Sequence, residues 1–192
     1  YVHNQWTRSL VYYVVAFGDD ASARDNAARD LMNVDLGFGP PAYGFLASIA
    51  FTGVFAPVSL LAGTVADAGD RVLITAGSAA AWSAATVWQA SSHSAGEVAV
   101  TRALQGAAMA FTTPAAYTLL ADATPASRRG LVNSIYACGV YVGGGAAALS
   151  LLLDRAVGWR ATLGVSAASG LAVAALAAAA LDERPERRAR PA

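Results

Sequence analysis

GTVADAGDRVLIT, residues 63–75, sets two aspartates and an arginine between one long apolar run and the next. The rest of the chain is sparing with charge. Only 14% of its 192 residues are charged and 56% are hydrophobic, with a mean hydropathy of +0.44, against roughly a quarter charged in an ordinary soluble domain. A bilayer explains the confinement of charge to short joints, because crossing its ~30 Å hydrocarbon layer takes about twenty apolar residues at ~1.5 Å each. Charge-free stretches run from Leu36 to Ala66, Val72 to Gly96, Ala103 to Ala121, Gly130 to Leu153 and Ala161 to Leu181. Five spans fit these gaps.

A sixth, poorer span is expected at Ser9 to Gly18, which needs the preceding YVHNQWTR to reach a crossing length and so includes Arg8. No basic n-region and cleavage site precede it, so it does not read as a signal peptide. The chain opens on Tyr1 rather than Met, which suggests that a longer parent has lost its beginning. Barrel strands need only about ten alternating residues, whereas these runs are twice as long and apolar on every face. The expected fold is all-α, a polytopic membrane protein with a six-helix bundle over residues 1–181. An extramembrane loop at about 18–41, holding five aspartates and two arginines, reads as solvated, with at most a short surface helix. Residues 182–192, DERPERRARPA after Leu181, form a charged tail or linker too poor in apolar residues to pack.

The other joints, DAGDR (67–71), SSHSAGE (91–97), DATPASRRG (122–130) and DRAVGWR (154–160), are tight and force neighbouring spans antiparallel. Alternate joints carry Arg71, Arg128, Arg129, Arg184, Arg187, Arg188 and Arg190 on one side, and Arg24, Arg29, Arg155 and Arg160 on the other. Seven against four, under the positive-inside rule, puts both termini in the cytoplasm.

At the joint of residues 67–71, the Asp67 carboxylate is expected to face the unpaired amides and positive dipole end of the next helix. Arg71, four residues on, pairs with it or reaches a neighbouring helix, and Gly63 allows close helix approach there. Asp122 with Arg128 and Arg129 repeats the design at the next joint on the same side. These six residues form the candidate gating set. The competing reading is plain anchoring, since any short cytoplasmic loop needs a few charges.

Arg102 stands within a span, where a guanidinium costs about 2.5–3.5 kcal/mol on insertion scales and so faces a polar cavity or partner; the rival reading is snorkelling to the interface, five residues from Glu97. Arg8 poses the same choice. Gln89, Gln105, Asn133, Tyr136 and Tyr141 are candidate cavity residues, and Trp88 and Trp159 read as interface anchors. Gly106 and GVYVGGGAAA, residues 139–148, with Gly139, Gly143 and Gly144, offer small faces for helix packing.

Several stretches together resemble one family. GTVADAGDR resembles the G-x-x-x-D-R-x-x-R loop between the second and third helices of the major facilitator superfamily, and RALQGAAMA, residues 102–110, resembles its fourth-helix R-x-x-x-G pattern. AP at 56–57, WSAAT at 82–86, Pro114 followed by AD at 121–122, RRG at 128–130 and the glycines 143–145 look like the spinster-like branch. NQWTR, residues 4–8, looks like that branch's N-x-x-D-R with Thr7 in the aspartate's place. The resemblance covers essentially the whole chain but only the first six of the usual twelve helices. It implies one half of a carrier that rocks two bundles around a midplane site, with lipids such as sphingolipid phosphates or lysophospholipids as substrates. It further implies that Arg8 and Arg102 line the route between bundles and hold an anionic headgroup. The chain departs from the branch at Thr7, at Met109 where glutamate is common, at Ala68 for the loop's arginine and at Val72 for the basic residue after Arg71. A hydroxyl and a thioether carry no proton at working pH, which favours facilitated exchange, or coupling through the other half, over proton coupling.

Enzyme chemistry starves for ligands. His3 and His93 are ninety residues apart without spaced partners, and the lone Cys138 lies mid-span as a small filler. No catalytic residue, metal site or cofactor is expected, and the glycine cluster fails as a dinucleotide loop because no strand precedes it. The expected partners are membrane lipids, a small-molecule or lysolipid-like substrate and a missing carboxy-terminal six-helix half or a second copy, with no nucleic acid. The reading is therefore transport of an amphipathic or anionic solute by alternating access. Its rivals are a non-transporting membrane protein that binds lipid or a partner subunit, and a soluble alanine-rich bundle.

Overall fold

The charge-free stretches are largely helical in a computed structural model that describes residues 1–17 and 30–181. We number the helices α1 (Val2–Ser9), α2 (Met32–Asp35), α3 (Pro40–Ala68), α4 (Arg71–Ala90), α5 (Ala95–Ala110), α6 (Thr112–Ala123) and α7 (Arg129–Ala180). Among the described residues there is no strand. Residues 18–29 of the loop expected at about 18–41, with Arg24 and Arg29, and the tail from residue 182, with Arg184, Arg187, Arg188 and Arg190, lie outside the described residues.

Local chemistry sets the helix ends. Pro40 and Pro41 open α3 with φ already helical and amides that need no partner there. Asp70 caps α4, its carboxylate accepting from Leu73 N at 2.9 Å. At α5, Ser94 Oγ accepts from Glu97 N while Glu97 Oε2 accepts from His93 N, a reciprocal capping box. Pro114 cannot donate to the Ala110 carbonyl and crowds it, which breaks the fourth span at Phe111 between α5 and α6. From α4, Ser78 Oγ then donates to Ala108 O at 2.8 Å. Gly158 breaks α7 with φ 79° and ψ 169°, a region essentially reserved for glycine. Two arms result, residues 129–157 and 159–180.

The bundle is assembled at glycines. A Cβ at Gly106 would stand 2.5 Å from Phe51 O, so α5 lies directly on α3. One at Gly143 would stand 2.5 Å from Val2 O, and Gly170 abuts Ser83 Oγ and His3, so α1 sits between both arms of α7 while the second arm packs on α4. Outward faces are apolar. Of the most apolar stretches of Pro40–Ala68 and Ala126–Ala180, only 22% and 28% are buried. That is the inverse of a soluble core helix and suits lipid contact.

Three expectations are corrected. The first helix forms on Val2–Ser9 with a 3₁₀ turn through Tyr12 and stops short of the Gly18 end expected for it. Its polar residues Asn4, Gln5 and Thr7 are buried because they face protein; beside them Trp6 Nε1 donates to Ser150 Oγ at 2.7 Å, and Thr7 shares a 2.9 Å bond with Ser166 Oγ. Within the supposed solvated loop, Leu31, Met32 and Phe38 are buried, Met32 N donates to Val14 O, and Asn33 bonds both backbone groups of Ala16. The joint expected at 154–160 reduces to Gly158, leaving Asp154 buried inside α7.

Candidate functional site

Arg102 follows the start of α5 by seven residues, about 10 Å along the axis, and only 1% of it is exposed. It does not snorkel. Its Nε donates to Leu46 O at 3.2 Å, a carbonyl in the wide π-turn Phe45–Ile49 of α3. Nη1 donates to Arg8 O and to Gln105 Oε1, both at 3.2 Å, while Nη2 is buried without a hydrogen-bond partner. None of these acceptors is a carboxylate. Gln105 Nε2 donates onward to Thr86 Oγ1 at 2.9 Å and to Gln89 Oε1 at 2.8 Å, joining the site to α4.

Arg8, on α1, is half-buried and brings a second cation. Its guanidinium carbon lies 4.9 Å from the Phe51 centroid and 5.7 Å from that of Phe55, and the Arg102 guanidinium carbon lies 4.9 Å from the same Phe51 ring. Two cations thus share aromatic faces in an apolar setting, where charge is weakly screened. Thr7 is spent on Ser166, and Met109 is 1% exposed in a core cluster with Phe51 and Trp82. No carboxylate therefore stands at either position from which the resemblance drew one.

The charged end has a second buried arginine. Arg71, 2% exposed, donates from Nη1 to Asp122 Oδ2 at 2.8 Å and from Nε to Ala66 O at 3.1 Å, while Nη2 stands 3.7 Å from Asp67. That bond crosses 51 residues of sequence and puts the 67–71 and 122–130 joints at one end of the bundle. Asp67, 73% exposed, is not the cap of α4, a role that Asp70 takes. Gly63 has open space where close approach was expected. Arg128 and Arg129 are exposed, and Arg129 Nε donates to Thr124 O at 3.3 Å.

Of the remaining candidates, Asn133 and Tyr141 are exposed on α7, Tyr141 at 82%. Tyr136 stacks on Tyr1 with centroids 4.4 Å apart and meets Tyr117 at 5.0 Å. Gly139 and Gly143 touch α1, as does the unanticipated Gly170, whereas Gly144 faces open space. Trp88 is exposed as an anchor would be, but Trp159 is fully buried. Its indole and Arg160 Nη2 both donate to Asp35 Oδ2, at 3.3 and 2.8 Å, and Arg160 Nη1 donates to Ala90 O. Sequence reading missed this clasp, because nothing local pairs residues 125 positions apart.

A groove of about 730 Å³ runs along the opposite face of α5 among Leu73, Gly77, Ala81, Trp88, Leu104 and Phe111. Its one hydroxyl, Ser78, is already bonded to Ala108 and Thr112, which leaves the Trp88 indole N–H as the one side-chain donor of an otherwise apolar lining and no charge for an anionic headgroup, so the arginine pair is the better candidate. No cluster of three potential metal ligands occurs among the described residues.

Residues 26–192 match the family model described as Major Facilitator Superfamily. No curated protein matches the chain. Among solved structures, its fold is similar to the crystal structure of a bacterial homologue of the human lysosomal transporter Spinster, inward-facing and unoccupied, with a TM-score of 0.74 and 23% identity. The match covers 96% of this chain and 41% of the homologue, so the chain spans about two fifths of that protein's length.

Proposed function

The chain belongs to the Major Facilitator Superfamily and is an integral, multi-pass membrane protein, and from that premise we propose that it forms the amino-terminal half of a carrier that moves an anionic, lipid-like solute by alternating access. The observation that carries this reading is the Arg102 guanidinium, buried with a free Nη2 and no carboxylate among its contacts. A cation inside a span demands a counter-charge, and a phosphate or carboxylate headgroup would supply one through charge-assisted bonds that suit the planar fork of arginine. Arg8 adds a second positive charge, and Phe51, Phe55 and Leu46 give the apolar wall an amphiphile needs.

In this reading the Arg71–Asp122 pair is a gate element at the cytoplasmic side, fastening α4 to α6 while that side is closed. Arg71, Arg128 and Arg129 at the same end support that orientation under the positive-inside rule. The completing half would be a further six helices or a second copy. The absence of carboxylates at Thr7 and Met109 favours one alternative, a membrane protein that binds lipid without transporting it. Genomic sequence beyond residue 192 separates the two: six further spans support the carrier.

Binding tests the site. In detergent, the chain should bind a lysolipid phosphate more tightly than the lysophosphatidylcholine of equal chain length, and Arg102→Ala should weaken the former about 10- to 100-fold, the equivalent of one bond to a charged group. Thermal stability should change little. Equal affinity for both lipids, or parallel loss of binding and folding, overturns the proposal.

A further inference from the structure

His3 is the one imidazole inside the described bundle, and neither arginine cluster uses it. It sits on α1 where α1 meets α4 and the second arm of α7. Nε2 lies 3.0 Å from Ser166 O and 3.0 Å from Ser169 Oγ. The ring is edge-on to Trp6, with centroids 5.5 Å apart, and parallel to Trp82 at 6.3 Å. Gly170 leaves room for it: a Cβ there would stand 2.6 Å from His3 Cε1. Nδ1 is buried and has no hydrogen-bond partner.

These contacts assign the tautomer. A carbonyl only accepts, so Nε2 carries the hydrogen and donates to Ser166 O, leaving Nδ1 as a bare, basic lone pair. An ionisable group inside a span marks a functional position, and imidazole changes charge between pH 5 and 8. We propose that His3 is a proton-binding site of the bundle, and that loading Nδ1 loosens α1 from α4 and α7.

Protonation would create an N–H donor where no acceptor waits. It would also set a positive charge among neighbours that cannot answer it. From α4 these are Trp82 and Ser83, and from α7 Ser166, Ser169 and Gly170, none of which titrates in this range. On α1 itself the nearest charged side chain is again a cation. Arg8 follows five residues later. On the partner helices the nearest charged positions are Arg71, eleven residues before Trp82, and Arg160, Arg155 and Asp154, six, eleven and twelve residues before Ser166. Burying an unpaired donor and an unpaired charge is costly. Movement of α1 away from Trp82 and Gly170 gives the new N–H access to water or an anion and removes that cost. The Thr7–Ser166 bond joins the same two elements, so it opens with them.

The proposal concerns a proton and a helix contact, so it can fail while the proposed solute stands, and its test needs no solute. The chain carries His93→Gln to remove the other imidazole, and the intrinsic tryptophan fluorescence is followed in detergent from pH 8 to pH 5. Imidazolium quenches a neighbouring indole, so a sigmoidal loss of emission is expected, absent once His3→Gln is added. Glutamine keeps an amide donor for Ser166. Ser169→Ala, which keeps the imidazole but removes one partner, should shift the midpoint and preserve the amplitude. Loosening is read separately in a Cys138→Ala, Thr7→Cys chain, whose alkylation rate at pH 5.5 should be several-fold higher with His3 than with Gln at position 3, the two matching at pH 8. A titration that survives His3→Gln, no titration in the His93→Gln chain, or alkylation rates equal at both pH values overturns the proposal.

Discussion

Two arginines of this bundle are buried to almost the same extent, and their surroundings are opposite. Arg71, 2% exposed, is held by Asp122 at 2.8 Å, with Asp67 3.7 Å away. Arg102, 1% exposed, has only carbonyls, an amide and an aromatic face. The same desolvation cost is met at one end by a resident carboxylate and at the other by dipoles that leave a donor unused. A neutralised cation fastens helices, and an unneutralised one retains its capacity for an incoming anion. Burial alone does not tell a fastening from a receptor; the charge of the contacts does.

The largest test of this contrast is Asp122→Ala, which leaves Arg71 with the exposed Asp67 as its remaining carboxylate, 3.7 Å away. Removing one partner of a buried pair costs about 3–5 kcal/mol, and the 35% exposure of Asp122 sets the expectation at about 3 kcal/mol, read as a lowered thermal midpoint in detergent. A loss no greater than that of Arg102→Ala would break the contrast. Asp70→Ala should cost about 1 kcal/mol through the lost cap, with little dependence on salt. Asp67→Ala comes last, at under about 0.5 kcal/mol and vanishing in high salt, because its carboxylate is 73% exposed and 3.7 Å from its partner. A larger effect there would move the fastening from the cross-helix pair to the neighbouring one.

The positions of the spans were legible because a charge-free run of twenty residues is a local property, and α3 to α7 fall where those runs lie. Arg102 was legible for the same reason, since a charge within such a run is conspicuous in one dimension. The shorter of the two Arg71 pairs was not, because Asp122 reaches it through the packing of α4 against α6; sequence spacing offered Asp67, which stands 3.7 Å away, or a neighbouring helix without naming its residue. Among the glycines, 106, 139 and 143 touch neighbours while 63 and 144 face open space; rotational phase decides this, and composition does not encode it. The opening helix was expected to run on through the apolar residues to Gly18 and instead keeps to the polar part, where Ser150 and Ser166 supply a hydroxyl-bearing surface for Trp6 and Thr7.

The corner at Gly158 has a mechanical meaning. A Cβ on residue 158 would strike the Asp30 carboxylate at 2.6 Å, and Trp159 N donates to Asp30 O while Arg160 grips Asp35 and Ala90. One residue of turn provides no slack, so the two arms of α7 behave as a bent lever rather than two tethered rods. A tilt of either arm is delivered undiminished to the clasped segment at the elbow, which must ride along or let go.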